Sequence, residues 1–334
     1  MDSRERVIRT LEFSSPDRAP RQVWPLPAIN LFRQGELDKL LSRYPMDFDA
    51  PSGSYGPAER ARGEAHRRGE YVDAWGCVWH ALEDGVVGEV RGLPLANWSA
   101  LDTYSPPWEI IDGADLSDVN RSCSESSKFI IASTETRPFE RMQFLRGTEN
   151  VFMDLAYGVQ EACRLRDMLH DFFVRDIQMW AKTDVDAVSF MDDWGSQTSL
   201  LISPEVWRSF FKPLYKDYCD IIRGSGKYVF FHSDGFIEDI YPDLIEIGVS
   251  AVNSQLMCMN VERLAAQHKG RITFWGEVDR QHAQPYGTPE DCRAVVRRVR
   301  KALDDGAGGL IAQCEWGTLD PFENIDAIFD EWSR

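Results

Sequence analysis

The chain has no C-x-x-C pair, and its cysteines number seven, an odd count. Both facts argue against a disulfide framework and against paired-cysteine zinc or redox motifs. They predict a reducing compartment, with most of the thiols serving as small core residues. No run of about 18 apolar residues occurs, so no membrane-crossing helix is expected. The first residues, MDSRERVIRT, have no apolar stretch behind them; the expectation is no signal peptide and a cytoplasmic protein. Basic charge is scarce: 37 Lys and Arg stand against 54 Asp and Glu, a formal net charge of −17. A polyanion binder needs a basic footprint, so nucleic acid and anionic membrane surfaces are poor partners. There is no G-x-G-x-x-G after the first strand and no P-loop, which lowers a nucleotide-binding reading.

What is present is an alternation of strands and helices. KFIIASTET, VDAVSFMDD, KYVFFHSDG, SAVNSQ, RITFWGEVD and GGLIAQCEWG read as strands. Helical patterns separate them, over about 151–182, from Ser203-Pro204 to about Arg223, and over FIEDIYPDLIEIG, NVERLAAQH, TPEDCRAVVRRVRKALDDG and PFENIDAIFDEWS. Ser203, Asn260 and Thr288 are side chains that accept from free backbone N–H groups at a helix start, and Pro204 and Pro289 pre-set the first helical φ. Such a series demands a parallel sheet, and the reading is a single-domain (β/α)8 TIM-type barrel over 1–334. The N-terminal part is less regular. A helix is expected over 3–13 and a Pro-rich strand around Val23 and Trp24; 50–70 reads as a long loop, and 71–98 as a strand-rich excursion.

The strands end in polar groups that a buried strand does not require. IIAST leads to Glu135 and Arg137, VSFM to Asp192 and Asp193, VFF to His232 and Asp234. AVN leads to Gln255, TFWG to Glu277 and Asp279, LIAQ to Cys314 and Glu315. In a barrel these ends converge on one mouth, where catalytic residues from several strands meet. His232 and Asp234 are two apart on a strand and share a face. With Cys314 and a carboxylate such as Glu277, His232 forms a set able to hold Zn2+ with one position open. Against that stands a hydrogen-bonded His–Asp pair beside a buried thiol.

At these residues the chain resembles the uroporphyrinogen decarboxylase-like superfamily. The resemblance lies in DDWGSQTSLLISPEVWRSFFKPLY, FHSDGFIEDIYPDLIEIGVSAVN, WGEVDRQ and GGLIAQCEWGTLDPFENIDAIF, with YVDAWGCVW and a PL-x-x-W near residue 94 before them. It implies a distorted (β/α)8 barrel, a dimer, and one of two activities. Decarboxylases of the family need no metal and carry an Arg-rich segment after the first strand; here that region reads RQVWPLPAINLF, without the Arg cluster. The methyltransferases use Zn2+ on a His-x-Cys and a later Cys, and exchange a methyl group with a corrinoid on a partner protein. This chain has His232-Ser233-Asp234, and Cys314 seven residues before Pro321.

The leading expectation is therefore methyl transfer between a small molecule and a corrinoid or thiol. Zn2+ would lie on His232 and Cys314 with Asp234 or Glu277, and Asp192 and Asp193 would orient substrate or act as acid–base groups. Tyr71, Trp75, Trp79 and Trp194 would wall the pocket, with Gln255, Glu135 and Arg137 also facing substrate. The alternative is a metal-free decarboxylase or lyase, in which Asp73, by positional match to the family's catalytic Asp, stabilises a protonated intermediate. A third reading is a non-catalytic small-molecule binder.

Overall fold

The computed structural model describes residues 1–334. Its strands are β1 (Arg21–Pro25), β2 (Phe48–Asp49), β3 (Gly69–Val72), β4 (Val78–Ala81), β5 (Glu89–Gly92), β6 (Phe129–Ser133), β7 (Ala187–Met191), β8 (Tyr228–Ser233), β9 (Ala251–Ser254), β10 (Thr273–Trp275) and β11 (Leu310–Trp316). Eight of them form one parallel sheet in the order β1-β11-β10-β9-β8-β7-β6-β2, while β3, β4 and β5 form a separate antiparallel sheet. The order brings β1 and β2 to the two sides of a single seam, so the sheet is a nearly closed (β/α)8 barrel. No helix is long and apolar enough to cross a membrane.

Side-chain alternation sorts each strand between two cores. Phe48, Phe129, Ile131, Ala187, Phe230, Ala251, Trp275 and Ile311 pack together inside the barrel. The alternate residues, among them Val188, Phe231, Val252, Ala312 and Cys314, pack outward among the helices. On β8 the inward register continues from Phe230 to His232, and on β11 from Ile311 to Gln313 and Glu315. Because β11 runs on to Trp316, Cys314 falls on the outer face.

The seam is closed at its base. The Asp47 N–H donates to the Arg21 carbonyl (3.0 Å), and the Arg21 N–H donates to Asp47 Oδ2 (2.7 Å). Arg6 and Arg18 also hold the fully buried Asp47 carboxylate. Above this tie no strand pairing joins β1 to β2, and a cavity of about 540 Å³ opens there into the barrel mouth.

Several expected elements differ in extent. The long helix over 151–182 is two helices, Thr148–Tyr157 and Gln160–Ala181, broken where Gly158 takes φ 65°. Ser203, Asn260 and Thr288 do cap their helices, Thr288 through a reciprocal capping box with Asp291; such a cap stabilises by about 1 kcal/mol. The RITFWGEVD strand is shorter than its sequence suggests, stopping at Trp275. The excursion over 69–92 is the three-stranded sheet.

Candidate functional site

The loops after β7 and β8 carry the site, and two glycines set their distance. Gly195 and Gly235 lie backbone against backbone: a Cβ on Gly195 would sit 2.3 Å from the Phe236 nitrogen. Gly235 has φ 79°, a conformation open to glycine at little cost. This contact lets the Gly195 N–H donate to the Asp234 carbonyl (3.0 Å), and the Asp234 N–H donate to Asp193 Oδ1 (2.8 Å). Both carboxylates are thereby turned toward the end of β8.

There they meet His232. Its Nε2 lies 3.6 Å from Asp193 Oδ1 and 3.6 Å from Asp234 Oδ1. One ligand atom from each of the three residues lies within 4.8 Å of the others. The other ring nitrogen, Nδ1, is 2.6 Å from Asn253 Oδ1. Asn253 Nδ2 donates to the Trp275 carbonyl, which only accepts. That bond fixes the amide, so its Oδ1 must accept from an Nδ1–H of His232. In the neutral ring Nε2 then carries a lone pair, aimed at two carboxylates. Three electron-rich atoms face one another there, an arrangement able to take a shared cation. A histidine whose far nitrogen is held by an amide or carbonyl oxygen is the usual form of a metal ligand. The donor set of one imidazole and two carboxylates fits a divalent cation.

The carboxylate groups behind this trio are held by an arginine. Arg280 pairs with Asp234 and with Glu315, and its Nε lies 3.8 Å from Glu277 Oε2. The Gln255 amide oxygen, in the orientation that satisfies both partners, accepts from Arg280 Nε at 2.9 Å. Glu277 is buried and neither of its oxygens has a hydrogen-bond partner. Burial pushes its carboxyl up to about 8, against the opposing pull of Arg280. Glu140 is likewise pushed up to about 8, by burial and by the charge of Asp193.

The cavity that opens through the seam reaches His232. Trp24 and Trp275 meet edge to face at 4.9 Å in its wall, and Trp24 packs against the His232 ring at 5.4 Å. Met191, Ile131, Leu37 and Met46 line it further, and Arg137 is among its polar groups. The volume is that of a small-molecule site.

Several expected site residues lie elsewhere, each for a physical reason. Cys314 is on the outer face of β11; its thiol contacts the Glu315 carbonyl (3.3 Å) and burial raises it well above the usual thiol range. It does not share a site with His232. Glu277 is not one of the three converging ligands either; it lies beside Arg280. Asp192 points outward and caps the helix Pro138–Arg146, accepting from the Phe139 and Glu140 N–H groups (2.8 and 2.7 Å) and from the Tyr215 hydroxyl. Burial still pushes it up to about 7 against those donors. Asp73 holds the β3–β4 turn, accepting from the Trp75 and Cys77 N–H groups, from Trp79 Nε1 and from Arg141. Trp75 packs on Phe172, Trp79 stacks on Tyr71, and Trp194 stacks on Phe139. These four aromatics fix the excursion and the helix layer, and none lines the mouth cavity. Glu135 is half exposed, 3.8 Å from Arg141. The residues that sequence reasoning missed are Asn253, Arg280, Trp24 and Trp275. The inward register of β9 would have singled out Asn253, a polar side chain on the same face as Ala251 in the barrel interior.

A parallel eight-stranded barrel with a converging polar group at the carboxyl ends of its strands has the architecture of a barrel enzyme. The model of the Uroporphyrinogen decarboxylase (URO-D) family matches residues 126–333, and the chain belongs to that family. Comparison with curated proteins finds no match. Among solved structures, a methyltransferase from Methanosarcina mazei is similar at 13% identity and a TM-score of 0.73, over 100% of this chain and 98% of that one. At that identity the likeness concerns the fold. An endo-beta-1,4-xylanase from Gloeophyllum trabeum matches at 10% identity and a TM-score of 0.45, over 97% of this chain and 99% of that one, too distant to bear on function.

Proposed function

We propose that this chain is a metal-dependent methyltransferase, with Asp193, His232 and Asp234 as the residues that hold the cation. The observation that carries the reading is the Asn253 amide, which leaves the His232 Nε2 lone pair facing two carboxylates. The methyltransferase from Methanosarcina mazei shares this fold, which is compatible with the reaction class. The absence of an Arg-rich segment after β1, which a porphyrinogen polycarboxylate would need, supports it. A bound Zn2+ would act there as a Lewis acid, activating a substrate heteroatom or thiol.

The chain's own residues divide the remaining work. Asn253 holds the His232 tautomer, and Arg280 holds Asp234 through one oxygen while the other faces His232. Trp24 and Trp275 exclude water from the inner end of the cavity. Methyl exchange with a corrinoid on a partner protein is the form of the reaction we favour. It is tested by following the visible spectrum of cob(I)alamin as methylated thiols and ethers are supplied to Zn2+-loaded protein. Conversion to methylcobalamin that is lost in His232→Gln supports the reading; no conversion with any methyl donor counts against it.

A second reading has support from the same geometry. With a proton on Nε2, the trio is an imidazolium between two carboxylates, suited to acid–base work in a metal-free carboxy-lyase. It would centre on His232, not on Asp73. Carbon dioxide release by chelator-treated protein distinguishes it.

A further inference from the structure

Arg137 is built into the cavity wall with only one long ion pair in the chain. Its side chain donates no hydrogen bond, and its Nε is buried without a partner. The nearest carboxylate, Glu140, lies 3.9 Å away. The helix that starts at Pro138 offers no competing anion site, because Asp192 already takes its first free N–H groups. The other cation of the lining, Lys128, is similarly paired, 3.8 Å from Asp49, but is more exposed (41% against 30%) and has no buried donor without a partner. Around Arg137 the cavity is mostly apolar, with 11 of its 20 lining residues hydrophobic. A guanidinium with a free donor set recognises a planar oxyanion by paired hydrogen bonds. Edge-to-face tryptophans beside it favour a flat apolar body.

We propose that the seam cavity binds a small amphipathic monoanion, its carboxylate on Arg137 and its aromatic or aliphatic body against Trp24, Trp275 and Met191. Only the placement of the reacting atom near His232 rests on the function proposed above; anion capture by Arg137 does not depend on bound metal.

Benzoate and its neutral isostere benzamide test this by isothermal titration calorimetry, on protein both as purified and after chelator treatment. Wild type should bind benzoate at least about tenfold more tightly than benzamide, the worth of a charge-assisted pair. Arg137→Gln should abolish that preference while leaving benzamide unchanged, and Arg137→Lys should retain part of it. His232→Gln should keep the preference in chelator-treated protein. Circular dichroism confirms that each variant is folded, and if Arg137→Gln is not, Arg137→Lys carries the comparison. Equal binding of the two compounds by wild type, no binding of either at millimolar concentration, an undiminished preference in Arg137→Gln, or, where Arg137→Lys carries the comparison, an undiminished preference in Arg137→Lys overturns the proposal. Metal content measured on the same samples separates the two ideas. A benzoate preference in a chain that binds no metal leaves this inference standing while the metal reading fails.

Discussion

Replacing Asn253 by leucine tests how His232 is held. Leucine is close in size, so the barrel interior stays filled, but two buried hydrogen bonds disappear. The His232 Nδ1–H loses its acceptor at 2.6 Å, and the Trp275 carbonyl loses its donor. An unsatisfied buried group costs about 1–3 kcal/mol, so the variant should lose roughly 2–5 kcal/mol of stability. The imidazole is then free to rotate or to change tautomer. Loss of an outer-shell partner lowers metal affinity by about 10- to 100-fold. Asn253→Asp gives the contrasting case: it keeps an acceptor for Nδ1 but sets a carboxylate against the Trp275 carbonyl, so it should lose stability and retain more of the affinity. Competition with a chromogenic chelator measures Zn2+ affinity, and calorimetric melting measures stability. Wild-type affinity in a folded Asn253→Leu protein would refute the argument, because His232 would then need no orienting partner.

Further outcomes follow from the same contacts. Cys314→Ser should leave metal content unchanged, as judged by elemental analysis, because the thiol faces the helix layer. Glu277→Gln should alter the pH dependence of stability. With its carboxyl near 8 in the folded chain and an ordinary value of 4.5, the folded state binds the extra proton between those values, so wild-type stability falls as pH rises through that window. The full effect is on the order of 4 kcal/mol, and urea midpoints from about pH 5 to about pH 9 should show the variant gaining on wild type; parallel profiles would contradict the burial argument. Asp192→Ala should destabilise by roughly 2–3 kcal/mol, through the lost cap and the Tyr215 contact, without lowering metal content; loss of metal would mean that Asp192 belongs to the site. Gly195→Ala puts a Cβ 2.3 Å from the Phe236 nitrogen, so the two loops must part. It should cost about 1–3 kcal/mol and weaken Zn2+ binding in the chelator competition, and wild-type affinity would show that the loop contact does not set the ligand spacing.

The barrel was legible because parallel strands are apolar runs separated by amphipathic helices, and both periods are local. The polar strand ends pointed to the mouth for the same reason. Which face each residue takes was harder to read. GGLIAQCEWG alternates Leu310, Ala312, Cys314 and Trp316 with Ile311, Gln313 and Glu315, and both faces are largely buried, so alternation alone does not say which set faces the barrel interior. Regular alternation through Trp316 puts Glu315 inward and Cys314 outward. In the Asp192-Asp193 pair, alternation gives one carboxylate to a helix cap and the other to the site, and the sequence does not label which. Trp75 and Trp194, expected as pocket walls, are instead fully packed beneath the excursion and the loop after β7. The two-residue β2 is too short to carry a pattern, and with it the seam and its cavity went unread. Arg280 and Asn253 act through partners distant in sequence, which only the folded chain brings together.

The most direct test of the account is the metal content of protein loaded with Zn2+ and then freed of excess, for wild type, His232→Gln, Asp193→Asn and Cys314→Ser. The account predicts one Zn2+ per chain in wild type and in Cys314→Ser, and its loss from the other two. Wild-type protein that retains no metal, or a Cys314→Ser protein that loses it, would contradict the assignment of Asp193, His232 and Asp234 as the cation site.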